Sequence, residues 1–321
     1  PRCAGDRQPG RGRRAAVRLA ALFPVFLLIA AGWGLQRLRF PGGEFWPLAE
    51  RFMYFFLFPA LLVKETASAR IGAYDPLTLI ATLLSAIAAM TVLALLVKLA
   101  TRMDGPAFGS FFQGSLRFNS YVGLGAVVAL YGSDGIGLFA VAIAVCVPTL
   151  NVLCVSVLIR YGKAQHTAQL DLLGQLQLIL TNPLIVACVL GIALNLIGVP
   201  LPAAINTVAG ILGQASIALG LLAVGAALDL AVLRRARWPV IGMCLLNLVA
   251  FPLIMAGFAM VYGLEGLGRS LVVMWAALPT SAASYILARQ LGGDAPLMAA
   301  GITATTVAAA ITMPLMLGLL T

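Results

Sequence analysis

The sequence predicts an all-α polytopic membrane protein: ten transmembrane helices in two inverted five-helix repeats, with helices four and nine broken where they cross. Three observations lead there. Of 321 residues, 61% are hydrophobic and 10% charged, whereas a soluble domain carries roughly a quarter charged residues. Apolar runs of roughly 20 residues, each long enough to cross a bilayer core, recur from end to end. Two of those runs are interrupted near their middle by small polar residues in similar order. The runs are continuous, not alternating, which excludes an outer-membrane barrel.

Taken in order, breakers and hydropathy give spans at 18–36, 46–67, 76–100, 106–131, 136–160, 180–197, 203–230, 238–262, 269–292 and 295–320. The first carries Pro24 and ends at Arg37. The second ends in "FPALLVKETA", and the third opens at Pro76 and runs unbroken to Lys98. The fourth holds "LRFNSYVGLGAVVALYG", with Arg117, Asn119 and Ser120 inside apolar sequence. The fifth carries Pro148, Thr149 and Asn151. The longest interior connection, "YGKAQHTAQLDLLGQLQ", is amphipathic and reads as an interfacial segment. It divides the chain into a basic tail (1–17), a first repeat (18–160), a connection (161–179) and a second repeat (180–321). The seventh span carries Gln214 and Ser216, and the ninth carries Pro279, Thr280 and Ser281 before Arg289 and Gln290.

The net charge of +10 does not point to nucleic acid, because the basic residues sit at span ends and in short loops. Loop lysines and arginines orient the protein. One side collects Arg37, Arg39, Arg51, Lys98, Arg102, Arg160, Lys163, Arg234, Arg235 and Arg237; the other collects Lys64, Arg70 and Arg269. Ten against three puts the first group in the cytoplasm and both termini outside. The first 18 residues, with Arg2, Arg7, Arg11, Arg13, Arg14 and Arg18, run against that count; the tail is polar and reads as disordered. Cys146, Cys154, Cys188 and Cys244 fall in apolar spans and read as small hydrophobes. His166 is alone in a connection, so no metal site and no cofactor are expected.

The repeat rests on spacing. Asn119 precedes Gly132 by 13 residues and Thr280 precedes Gly293 by 13; an aspartate, Asp134 or Asp294, follows each. Pro24 precedes Pro41 by 17 residues, and Pro183 precedes Pro200 by 17. An odd number of spans per repeat makes the second enter the membrane from the opposite side, the architecture of many secondary transporters, whose sites lie where broken helices meet at mid-membrane. Pro279 removes a backbone donor and breaks its helix. Asn119–Ser120 and Thr280–Ser281 suit the N-caps of helices restarting there. Two such N-termini facing one point favour an anion, and a carboxylate fits.

At these residues the chain resembles the auxin efflux carrier family, which holds the plant PIN auxin exporters and bacterial transporters of malonate, malate and similar acids. "RFNSYVGLG…YG" resembles the family's fourth-helix segment and "LPTSAASYILARQLGGDA" its ninth. "LFPVFLLIAAGWGLQR" and "FPALLVKETA" look like its first two helices, so the resemblance spans residues 18–320. It implies a scaffold beside a transport domain, an elevator-like motion, anionic substrates, and the inner membrane of a bacterium. Plant members have a proline before the fourth-helix asparagine; here Phe118 stands there. The plant members' long cytoplasmic loop is absent.

The candidate substrate-binding residues are therefore Asn119, Thr280, Ser281, Ser120, Arg117 and Asn151, with Pro279 as the helix break. Arg117 is a cation at a depth where charge is costly and usually functional. No acidic residue falls securely at mid-membrane, which argues against a buried carboxylate pair for Na⁺ or H⁺. Coupling to H⁺ (through Asp75, Glu65 and Lys64) or to Na⁺ (through backbone carbonyls) stays open. An intramembrane enzyme lacks a nucleophile–base pair. A channel, or a sensor that binds an organic acid without flux, is the alternative from another class. The expected partners are a small organic anion, membrane lipid and, through the scaffold, a second copy in a homodimer; the sequence leaves the acid itself open.

Overall fold

The computed structural model describes residues 11–68, 75–163, 181, 183–235 and 238–321, with side chains from Ala20 onward except those of 133, 234 and 235. Residues 164–179 of the connection after the fifth span, His166 included, and residues 1–10 of the basic tail lie outside the described residues. Everything regular among the described residues is helical: α1 (Arg11–Arg37), α2 (Phe45–Ala67), α3 (Pro76–Ala100), α4 (Gly105–Leu116), α5 (Ser120–Tyr161), α6 (Pro183–Ile197), α7 (Ala203–Ala226), α8 (Trp238–Val261), α9 (Gly266–Ala276), α10 (Ala283–Gln290) and α11 (Ala295–Leu320). Seven stretches among the described residues are long and apolar enough to cross a membrane, and α6 is a shorter apolar helix. The backbone of α1 already runs from Arg11, within the basic tail.

The outward faces are apolar: Phe52, Phe55, Leu99, Val261, Ile311 and Leu319 are all more than half exposed. In water such faces would aggregate; against lipid they are solvated. Helix starts are set by short polar caps. Asp75, Asp104 and Asp294 each accept a first-turn N–H of α3, α4 and α11, with proline just inside the helix, an arrangement that satisfies an orphan donor and wastes none on the ring.

The helices pack in two sets, joined where α1 meets α11 and where α5 meets α1, α2, α6 and α7. In the first, α1 lies on α7, and α2 lies on α6 and α7. These crossings are backbone-close. A Cβ on Gly225 would stand 1.8 Å from the Ile29 carbonyl oxygen, and one on Gly191 would stand 1.9 Å from the Thr66 hydroxyl; small residues permit such approach in lipid. In the second group, α4 packs on α3, α5, α8, α10 and α11, and α9 packs on α5, α8 and α11. Tyr121 sits where the groups touch, with its ring 5.4 Å from Phe58 of α2. A Cβ on Gly220 of α7 would press against that ring.

Two helices widen by one π-turn immediately before a Phe–Pro pair: Met53–Leu57 before Phe58–Pro59 in α2, and Leu246–Ala250 before Phe251–Pro252 in α8. Proline leaves a carbonyl without its usual donor and crowds the preceding turn, and a wider turn relieves that. Tyr54 lies in the first π-turn, half-buried, and Asn247 in the second, buried.

Candidate functional site at two helix breaks

The fourth predicted span is broken. α4 stops at Leu116, residues 117–119 are non-helical, and α5 starts at Ser120. No proline is needed. Arg117 and Asn119 are extended (ψ 148° and 107°), and the Asn119 Oδ1 accepts the N–H groups of Tyr121 (3.0 Å) and Val122 (3.2 Å). Phe118 is pinned on Trp275 of α9, ring centroids 4.7 Å apart. An asparagine cap and an aromatic anchor thus do what proline would do. Farther on, Gly132 (φ 61°, ψ −150°) divides α5, and the rest of it, Asp134–Tyr161, is a span.

The ninth predicted span is broken too, over residues 277–282. α9 has ended at Ala276, so Pro279 lies past its end. The two breaks meet: the Asn119 N–H donates to the Pro279 carbonyl at 2.8 Å. Here one expectation is corrected. Thr280 and Ser281 do not cap the restarting helix with their side chains. Its N-cap is Ala282, without a side-chain cap bond. The Thr280 hydroxyl instead donates to the Gly114 carbonyl (2.5 Å), and its N–H donates to Thr305 of α11 (3.2 Å). Thr280 is fully buried and braces the crossing; the Ser281 carbonyl accepts the Ser284 N–H.

A cavity of about 140 Å³ opens beside the first break. Arg117, Phe118, Ser120 and Asn151 line it, together with Tyr54, Val147, Leu150, Leu184 and Ala283. Three of the six substrate-binding residues expected from sequence, Arg117, Ser120 and Asn151, therefore share one cavity. Thr280 and Ser281 do not line it. Asn119 lies between two lining residues, is 2% exposed, and keeps its Nδ2 without a partner. The Nη1 of Arg117 is also buried and unpartnered. Asn247 reaches from α8 to the carbonyls of Ser115 (3.4 Å) and Arg117 (3.5 Å), steadying the α4 end.

The lining carries one cation, an amide, hydroxyls and no carboxylate. The α5 and α10 N-termini reach it through Ser120 and Ala283. Fixed donors and helix N-termini of this kind attract a negative group. Tyr54, Ala283 and Asn247 were missed in the sequence. Asn247 had left a signal, a lone amide in an apolar run, whereas Ala283 had left none.

The profile of the membrane transport protein family, which is the auxin efflux carrier family, matches residues 17–317. The chain belongs to that family. A comparison with curated proteins found no match. Proteins of the auxin efflux carrier family are transporters, not enzymes. With its several apolar helices, this member is a multi-pass membrane protein with a role in membrane transport.

The three residues the sequence offered for H⁺ coupling, Lys64, Glu65 and Asp75, have structural partners. Lys64 and Glu65 pair at 2.9 Å. Asp75, exposed at the start of α3, accepts from the Thr78 hydroxyl and the Leu77 N–H, which hold its carboxyl below the usual carboxylate range. Among the described residues no group of histidine, cysteine, aspartate and glutamate could hold a metal ion.

Proposed function

We propose that the protein is a secondary transporter of small organic anions and binds a carboxylate in the cavity at the first helix break. One observation carries this: the Arg117 guanidinium, costly in a bilayer, is partly buried beside a cavity with its Nη1 unpaired. A buried cation without a counter-charge is unfavourable, and an anionic ligand removes the deficit. Ser120 and Asn151 add neutral donors, and the helix N-termini reached through Ser120 and Ala283 add partial positive charge. Asn119 holds the break open by capping α5, and its free Nδ2 is a further donor toward the ligand. Thr280 and Ser281 keep the second break in register behind the site.

In this reading the ten spans form two inverted repeats in a bacterial inner membrane, with both termini periplasmic. The first helix group is the scaffold. The second carries the site past it in an elevator motion, with Tyr121 at the sliding surface. A homodimer through the scaffold and coupling to H⁺ or Na⁺ fit the same scheme. The test is uptake of labelled short carboxylic acids and of indole-3-acetate into proteoliposomes, with Na⁺ and pH gradients varied separately. Flux of an acid that Asn119→Ala abolishes in a folded protein supports the site. Flux that survives moves the site elsewhere. No flux, and no ligand-induced thermal stabilisation, sinks the transporter reading.

A further inference from the structure

Directly behind the cavity lies a polar layer that nothing in the fold requires. A Cβ on Gly293 would stand 3.0 Å from both the Ser110 hydroxyl and Leu158, and 3.3 Å from Ala288. α4, α5 and α10 therefore meet at one level there. One turn nearer the breaks, on the same helix faces, stand Gln113 of α4, Cys154 of α5 and Ser284 of α10. All three are fully buried. One turn farther stand Arg117 and Asn151, which line the cavity. The Arg117 guanidinium faces the Cys154 thiol, so it stands between cavity and layer.

Within this layer both amide atoms of Gln113, Nε2 and Oε1, lack any partner, and so does the Ser284 hydroxyl. Buried polar atoms are ordinarily paired. A carboxamide with both atoms free complements a group that offers one acceptor and one donor. A cation is disfavoured beside Arg117. A second carboxylate is disfavoured too, because the cavity lining holds a single counter-charge and the Gln113 Oε1 would repel it.

Resting on the carboxylate-transport reading above, we propose that Gln113 and Ser284 form an inner subsite for a neutral carboxylic acid group, so that the transported species is the half-protonated monoanion of a short dicarboxylic acid. The ionised carboxylate sits on Arg117. The other carboxyl accepts from Gln113 Nε2 through its C=O and donates its O–H to Gln113 Oε1, while Ser284 supplies a further hydrogen bond. The guanidinium swings from Cys154 to the carboxylate as the ligand enters. One proton crosses with each substrate, bound to the substrate oxygen throughout, and no protein carboxylate takes it up. Gln113 and Ser284 do not line the cavity of about 140 Å³, so the cavity holds the ionised end and the neutral carboxyl reaches past Arg117 into the layer.

The charged and titratable groups facing Gln113 from the elements around it are few. Arg117 and Cys154 flank it. Asp294 of α11 is engaged in capping Leu297. Lys98 of α3 lies over the Phe108 and Tyr161 rings at the far end of α4. Cys244 of α8 is partly exposed. The pH dependence therefore belongs to the substrate.

The experiment is succinate uptake into proteoliposomes with equal pH on both sides, compared with butyrate uptake. Total succinate is adjusted so that either hydrogen-succinate or the dianion stays constant as pH changes. The expected result is a rate that follows hydrogen-succinate. Gln113→Leu should lose about tenfold of it, the effect of stranding one buried group, while butyrate flux through Arg117 persists. Ser284→Ala should show a smaller loss and serves if Gln113→Leu does not fold. A rate that follows the dianion, or variants that keep the native hydrogen-succinate rate, overturns the inner subsite and leaves the carboxylate-transport reading intact; the layer then holds water only. Butyrate and succinate fluxes that both ignore Arg117→Gln overturn the two together.

Discussion

The two breaks read alike in sequence and differ in chemistry. At the first, three residues leave the helix and a side-chain amide caps its restart, yet an amide nitrogen and a guanidinium nitrogen stay unpaired. At the second, six residues leave the helix and no side chain caps the restart, yet the hydroxyl and N–H of Thr280 are both committed to neighbours. Within the breaks themselves the first is chemically open and the second closed; the unpaired Ser284 hydroxyl lies beyond the second, in α10. On the carboxylate reading, binding capacity follows from which donors are left over, and polar residues in an apolar span do not by themselves mark a site.

The sharpest way to break this contrast is Arg117→Gln. Removing the only cation lining the cavity should cut carboxylate flux by at least about thirtyfold, the lower end for a buried charge partner. Thermal stability in detergent should hold or rise, because an unpaired buried charge is relieved. A stability loss with unchanged flux would make Arg117 a structural group. Thr280→Val tests the closed break. Losing the hydroxyl bond to the Gly114 carbonyl, while the backbone N–H still donates to Thr305, should cost roughly 1–3 kcal/mol of stability, read by chemical denaturation in micelles, with KM near native. A raised KM at native stability would mean that the second break binds too.

Asn119→Asp separates capping from binding. The carboxylate still caps α5, so the midpoint of melting should stay within the change that about 0.5 kcal/mol produces. Flux should fall because the new charge competes for Arg117. Asn119→Ala should lose both, with about 1 kcal/mol from the cap. The smallest effect concerns Asp75, away from both breaks. Its carboxyl is held low by Thr78 and Leu77, so the cap contributes above the ordinary carboxylate range and is lost as pH falls through the lower folded value. Melting of the native protein, but not of Asp75→Ala, should therefore weaken as the pH drops below about 4.

The helical order was legible because apolar length and breakers act locally: the expected 76–100 and 295–320 match α3 and α11 at both ends. The first break was legible through Asn119, whose cap is a local bond. The cap expected from Thr280 failed because the partners it takes instead, Gly114 and Thr305, are distant in the chain. Phe118 replaced a proline because Trp275 holds it, a tertiary fact invisible to spacing. Gln113 looked like one polar residue in a helix, and only three packed helices leave it without a partner.

Trp275 also gives the molecule an optical gauge. Its indole is fully buried, with Phe118 from the other break at 4.7 Å and Phe251 at 5.5 Å. Any shift of one break against the other must change the light this ring emits or passes to a quencher. Of the protein's four tryptophans, Trp33, Trp46 and Trp238 lie elsewhere, so exchanging those three for phenylalanine would leave a single emitter at the joint. The crossing could then be watched in real time, in a lipid vesicle, without attaching a dye.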